Sequence, residues 1–326
     1  MNTLAPVLRI AAAVICASSL AATPAHAIVV TATQNTQNLI NALLGGGDSG
    51  IVVTSVTLNG NRDSFAIPDG PSLEILSSGT YSNASGTYGI GAGVVLSTGS
   101  VSTVGLDPEG TLATGYGDGP SNVENNTWVY GGVYPPDLSN PALGVPATGE
   151  QEDLLDPITD RPDLDPPDNT FDHFDVTELI IQFDMQPGFD RVAFNVVFGS
   201  EEWIEYVESA YIDGFGMFLN GSNIAMTGGL PVNIRHPDMA DIGGTELDAV
   251  LAPGGNPLLT FSGAVNASGN TLRFIVADTS DPALDTTVYF SSLDGVPAIP
   301  LPAAGWLAAA AVLACAPRLR RRAAAR

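Results

Sequence analysis

The chain has 326 residues, with 35 Asp plus Glu against 11 basic residues and 3 His, for a net charge of −24; every basic residue is Arg. Six of them (Arg9, Arg318, Arg320, Arg321, Arg322 and Arg326) stand in terminal segments that hold no acid, so residues 28–298 carry 5 Arg against 35 acids, a net −30. Nucleic acid is a poor partner for such a body, because phosphate binding needs Lys and Arg to displace counterions, and an anionic membrane surface is disfavoured for the same reason. Hydrophobic residues make up 44% and charged residues only 14%, against a usual charged share of about 25%, so a buried core is attainable and disorder is not expected.

Residues 1–27 read as an export signal. Arg9 is the lone early charge, Ile10 to Leu20 is mostly apolar, and Ala25-His26-Ala27 has the small-x-small form of a cleavage site, which puts cleavage after Ala27. The alternative is a buried first helix. Cys16 and Cys315 both lie in terminal apolar segments. The body therefore has no thiol for a disulfide, a nucleophile or a Cys-ligated zinc.

Along the body, Thr36 to Leu44 predicts a short helix, since Leu39, Ile40, Leu43 and Leu44 share one face and Gly45 is a natural stop. The period then changes to two. Strands are predicted at Ile51 to Leu58, Gly93 to Gly99 and, most clearly, Phe189 to Phe198, where Val192, Phe194, Val196 and Phe198 mark one core face. Phe215 to Leu219, Asn220-Gly221 and Asn223 to Met226 predict a tight hairpin, because Asn-Gly supplies the positive φ angles of a type I′ turn. Leu258 to Phe261, Leu272 to Ala277 and Thr286 to Phe290 add further strands. Short strands, many turns and no strand-helix alternation predict an all-β, sandwich-like single domain with one short N-terminal helix. Residues 105–170, rich in Pro and Asp, read as a long insertion loop.

Two acidic clusters sit at strand ends. Glu201 and Glu202 follow the Phe189–Phe198 strand, with Asp213 shortly after, and Asp278, Asp281 and Asp285 follow the Leu272–Ala277 strand. Carboxylates held close repel one another unless a cation or hydrogen-bond donors offset them. In a body without Lys a cation is the economical answer, and hard oxygen ligands favour Ca²⁺. The competing reading is solvated turn charge. A hydrolase is the rival function, through Ser200 in Gly199-Ser200-Glu201 with His173 or His236 as base, or through a carboxylate pair. The second Gly of Gly-x-Ser-x-Gly is missing, however, and no helix pattern follows. A subunit that polymerises through strand edges is a third reading. His173 is expected to pair with a neighbouring Asp, Arg191 and Arg273 to be structural ion-pair partners, and Trp128 and Trp203 to be buried anchors.

Residues 301–317 form an uncharged, Ala-rich stretch that runs into Arg318 and the following Arg cluster; it is short for a membrane span. Together with Ile299-Pro300-Leu301-Pro302-Ala303, this tail resembles the PEP-CTERM class of sorting signals in its VPLPA variant, with Ile299 in place of Val. The resemblance implies transient anchoring in the inner membrane and processing by an exosortase-type peptidase, then a place at the cell surface or in the extracellular matrix. A plain membrane anchor is the alternative.

The body carries a second resemblance. Gly199-Ser200-Glu201-Glu202-Trp203, Asp213-Gly-Phe-Gly, Asn223-Ile-Ala225, Pro231-Val-Asn-Ile234 and the late Ala277-Asp278, Asp281, Asp285-Thr286 resemble the choice-of-anchor L domain of bacterial surface proteins. Thr36–Gly45, Ser85–Gly91 and Gly93–Gly99 resemble that domain's opening, for a coverage of about residues 33–104 and 149–293. Trp203 replaces Tyr, Ile212 replaces an Asn before Asp213, and Thr286 replaces Ser. The resemblance implies a secreted surface domain and names no ligand or activity; the export signal, the sorting tail, the β pattern and the clustered carboxylates together make residues 28–298 an expected non-catalytic module, surface-anchored or matrix-associated and adhesive toward matrix polysaccharide or protein.

Overall fold

The computed structural model describes residues 28–66, 72–99, 101, 104–106, 112–114, 145–161, 171–242, 247–282 and 284–298. The export signal, the sorting motif with its apolar tail, Trp128 and most of the 105–170 insertion lie outside these residues.

The first elements are β1 (Val29–Ala32), helix α1 (Thr36–Leu44), β2 (Ile51–Asn59), β3 (Arg62–Ala66), β4 (Ser72–Leu76), β5 (Ser78–Ser82) and β6 (Gly93–Ser97). Two short strands, β7 (Val104–Leu106) and β8 (Leu112–Thr114), precede helix α2 (Gly149–Thr159). The long strands β9 (His173–Met185) and β10 (Phe189–Ser200) follow, then β11 (Gly214–Leu219), β12 (Ser222–Asn223), β13 (Met226–Thr227) and β14 (Leu230–Asn233). The described chain closes with β15 (Met239–Ala240), β16 (Ala249–Leu251), β17 (Leu259–Ala264), β18 (Asn270–Thr279) and β19 (Thr286–Pro297).

Each local signal has a visible cause. Helix α1 begins where Asn35 Oδ1 accepts from the amides of Gln37 and Asn38, and it stops at Gly45, whose φ of 63° suits a residue without Cβ. At the β11–β12 hairpin, Asn220 and Gly221 have φ of 50° and 83°, the pair of positive angles that a type I′ turn requires.

The strands form two antiparallel sheets, as expected for a sandwich. The first runs β1-β5-β6-β19-β10-β16-β15, with β17 beside β10. The second runs β13-β14-β11-β18-β9-β2, with β12 beside β11. Between them lies the main core. Phe194 and Phe290 from the first sheet meet Phe274 and Phe215 from the second, with ring centroids 5.6 Å apart for Phe194–Phe274, 4.6 Å for Phe274–Phe290 and 5.6 Å for Phe215–Phe290. Leu39, Ile40 and Leu43 of α1 join the same core.

Two expectations need correction. The 105–170 segment is not loop throughout, since Gly149–Thr159 is helical and opens with a capping box between Thr148 and Gln151. Leu155 and Ile158 of α2 pack on Val176, Phe218, Ile275 and Ala277, the outer face of the second sheet. Strand β9 is central to that sheet, between β18 and β2, yet no strand was predicted there. Helix α2 covers its outer face only near Val176, and from Leu179 to Met185 buried residues alternate with more exposed ones, a period of two that the sequence does carry. Trp203 is only half-buried, although it does pack against the main core.

Phe274 is fully buried amid the interlocked rings. Phe274→Ala is expected to lower unfolding free energy by about 3–5 kcal/mol in a denaturant melt. A loss below ~1 kcal/mol would contradict the packing described.

Candidate functional site

The acidic residues singled out in the sequence come from two separate segments, 201–213 and 278–285, and antiparallel pairing brings their strand ends together. Ser200, the last residue of β10, pairs with Thr286, the first of β19, and Thr287 pairs with Ser97 at the end of β6. In the facing sheet Gly214 of β11 pairs with Ala277 of β18, and Asp278 with Phe174 of β9. Glu201, Glu202, Asp213, Asp278 and Asp285 therefore gather at one end of the sandwich, where both sheets terminate.

The burial of this group was not foreseen. Glu201 is 4% exposed, Glu202 2%, and Asp213, Asp278 and Asp285 1% each; Asp281 is half-buried at the rim. Asp175 of β9, which sequence reasoning passed over, is fully buried beside them. Removing an ionised carboxylate from water costs several kcal/mol even after relaxation, so solvated turn charge does not describe these residues.

Asp213 is held firmly. Its Oδ1 accepts from the Thr279 amide at 2.9 Å, and its Oδ2 lies 2.7 Å from Thr286 Oγ1, which is itself 2.8 Å from Ser200 Oγ. A hydroxyl has one proton, so Thr286 can donate to only one of these neighbours. The carbonyl of Ile212 accepts from Thr279 Oγ1 at 2.9 Å, while its side chain is fully buried in the main core. Ile in place of Asn therefore trades a side-chain role for packing and keeps the backbone one. Asp285 lies against Gly99, where a Cβ would come within 1.7 Å of Asp285 Oδ2. Ser200 Oγ accepts from the Glu202 amide at 3.0 Å.

Asp278 differs from Asp213. Its carboxylate oxygens are buried and make no hydrogen bond of good geometry, although the Thr98 side chain and Asp213 lie close enough to help hold it, and Oε2 of Glu202 is buried without a partner. Burial pushes the Glu202 carboxyl up to about 10, with help from Asp213, Asp281, Glu201 and Glu205. Burial likewise lifts Asp213 to about 7 against the hydrogen bonds from Thr286 and Thr279, and it raises Asp278 well above the ordinary range, with Asp213 and Asp285 adding to the effect. Carboxylates gathered in a site closed to bulk water can be compensated by protons or by a hard cation.

Arg273 pairs with Glu150 at 2.7 Å and Glu178 at 3.0 Å, as expected of a structural partner. Arg191 donates to Ser262 Oγ rather than to an acid, Arg161 to the Ser209 carbonyl and Arg235 to the Val207 carbonyl.

The Ser-based hydrolase geometry does not assemble among the described residues. His173 contacts Glu152 and Thr159, and His236 contacts the Thr227 carbonyl and the Asp238 amide, so neither is placed on Ser200. The partner of His173 is Glu152, 21 positions away, and not a neighbouring Asp.

Residues 141–243 match the family described as the Choice-of-anchor L domain. The match spans α2 and β9 to β15, and so includes Glu201, Glu202 and Asp213 but not Asp278 or Asp285. No curated protein and no solved structure matches the chain.

Two outcomes follow from this geometry. Gly99→Ala is expected to displace Asp285 and cost about 1–3 kcal/mol, read as a fall in denaturation midpoint. In chelator, the raised carboxyls bind protons more tightly in the folded than in the unfolded chain, whose carboxyls titrate near 4. Stability should then be greatest near pH 4 to 5 and fall through pH 7, where Asp213 ionises, and on toward pH 10, where Glu202 does. A flat or rising profile between pH 5 and pH 8 would contradict it.

Proposed function

We propose that the chain is an exported, non-catalytic surface module whose buried carboxylates bind Ca²⁺. The family match supports the surface-associated, non-catalytic part of this reading. The observation that carries the cation is Asp278, 1% exposed, crowded by Asp213 and Asp285 and with no hydrogen bond of good geometry to either carboxylate oxygen. Glu202, Asp213 and Asp285 complete the ligand group, with Glu201 and the rim residue Asp281 at its margin. Such a cation would fasten the ends of the two sheets and set the loop from Glu201 to Asp213, which carries the exposed Ile204 and Tyr206. That loop is a natural place for adhesive contact with a matrix polysaccharide or protein.

The termini fit the same reading. Residues 1–27 would direct export with cleavage after Ala27, and Ile299-Pro300-Leu301-Pro302-Ala303 with the apolar stretch and Arg cluster would hold the chain in the inner membrane until an exosortase-type peptidase acts. Among the described residues no helix is long and apolar enough to cross a membrane, and the C-terminal stretch lies outside them.

At Ca²⁺ a hundredfold above Kd the stabilisation is about 2.7 kcal/mol, a rise of roughly 5–10 °C in melting temperature for a domain of this size. Asp278→Asn should abolish most of that rise while making the chelated protein more stable, because it removes a buried charge. A melting temperature indifferent to Ca²⁺ and chelator sinks the cation. Intact-mass measurement of protein recovered from the surface of an exporting host should give a chain starting at Ile28 and lacking the Arg cluster. Recovery with that cluster still attached would instead favour a plain anchor.

A further inference from the structure

A second convergence of ligating side chains lies on the outer face of the second sheet, on residues outside the carboxylate group. Glu152 and Asp156, one turn apart on α2 and so on one helix face, meet His173 at the start of β9. Each can present one ligand atom, and all three atoms lie within 4.8 Å of one another. The His173 side chain is fully buried and that of Glu152 is 26% exposed, so the site has a closed floor and an open mouth.

The hydrogen bonds around His173 decide what the site can accept. Thr159 Oγ1 donates to the Leu155 carbonyl at 3.4 Å, and it lies 2.9 Å from His173 Nε2. In the tautomer in which Thr159 gives its single proton to Leu155 it accepts from Nε2–H, and the neutral imidazole keeps its lone pair on Nδ1. That lone pair faces Glu152 Oε2 at 2.5 Å, while Glu152 Oε1 accepts from the His173 amide at 3.2 Å. Two electron-rich atoms at that separation need a positive species between or beside them. A proton would satisfy the pair and leave Asp156 without a part in it; a metal ion uses all three.

We propose that Glu152, Asp156 and His173 form a second metal site, for a divalent transition ion of the Zn²⁺ class. Imidazole with carboxylates suits such ions, whereas Ca²⁺ takes oxygens alone. A ligating His whose other ring N–H is held by a hydrogen bond is the usual support for such an ion, and Thr159 supplies it. Ligand bonds of about 2.0–2.2 Å require Glu152 to swing away from Nδ1, which its partial exposure permits. The ion would pin α2 to the start of β9 and keep a coordination position open at the mouth, where an oxygen or nitrogen donor of a partner could bind.

Co²⁺, a visible-absorbing stand-in for Zn²⁺, tests this in the purified full chain with the carboxylate group saturated by Ca²⁺. One equivalent should bind with d–d absorption bands, and excess Ca²⁺ should not displace it. His173→Gln should remove the bands. Because that buried variant could fail to fold, Asp156→Asn is the companion, leaving the His173–Glu152 contact in place; it should weaken Co²⁺ binding by about tenfold or more. Absent bands in the native chain, displacement by Ca²⁺, or unchanged affinity in Asp156→Asn would each overturn the proposal, the last by showing a plain His–Glu ion pair.

Discussion

The structure turns on one constraint: carboxylates must be accommodated in the place where two β-sheets end together. Glu201, Glu202, Asp213, Asp278 and Asp285 are all 4% exposed or less, and an isolated buried charge costs several kcal/mol. Much of the local design answers that cost. Thr279 and Thr286 serve Asp213, and Gly99 clears the space that Asp285 fills. A body with 5 Arg and no Lys offers few internal counter-charges, so protons or a cation are the economical compensation. The sign of the pH dependence follows from which of the two is present.

The same constraint explains why the motif residues stand in the order they do. In Asp213-Gly-Phe-Gly, Asp213 enters the acidic site and Phe215 the aromatic core. The two glycines admit the helix on the opposite face: a Cβ at Gly214 would lie 2.8 Å from Ile158 Cγ2, and one at Gly216 2.7 Å from Ile158 Cδ1. Four consecutive residues thus address three surroundings, because successive side chains of a strand point to opposite faces. Gly199-Ser200-Glu201-Glu202 has a comparable economy. Gly199 lies close against Leu247 and the Ala249 carbonyl, Ser200 joins the Thr286 hydroxyl network, and the two Glu enter the site. What resembles a nucleophile motif in one dimension is a structural hinge between sheet and cluster.

Helix α2 changes the meaning of the insertion. Its C-terminal part is docked on the second sheet through Leu155 and Ile158, and its capping box fixes the point where the chain re-enters the fold. Through Glu150 and Arg273 it is also tied to β18, and through Glu152 and His173 to β9. The family match beginning at residue 141 agrees with this boundary better than a break near residue 170 does.

Periodicity by itself determined the all-β class, helix α1 with its cap and stop, the Asn220-Gly221 hairpin and the core face of β10, because those signals act over a few residues and are set by backbone geometry. Composition determined that the body is acidic and thiol-free. Sequence order also placed the six acids at strand ends, but order could not bring Asp213 to Asp278 or Asp285 to Gly99. Those contacts depend on antiparallel pairing between segments as far apart as 186 positions, and burial depends on the second sheet closing over the first. Helix α2 was hidden for a related reason: it takes its stability from a surface that exists only after folding, whereas the alternation of β9 over Leu179–Met185 was there to be read. The tertiary structure alone decided that the acids are interior, that His173 answers to Glu152, and that the carboxylate group and the Glu152–Asp156–His173 group are separate.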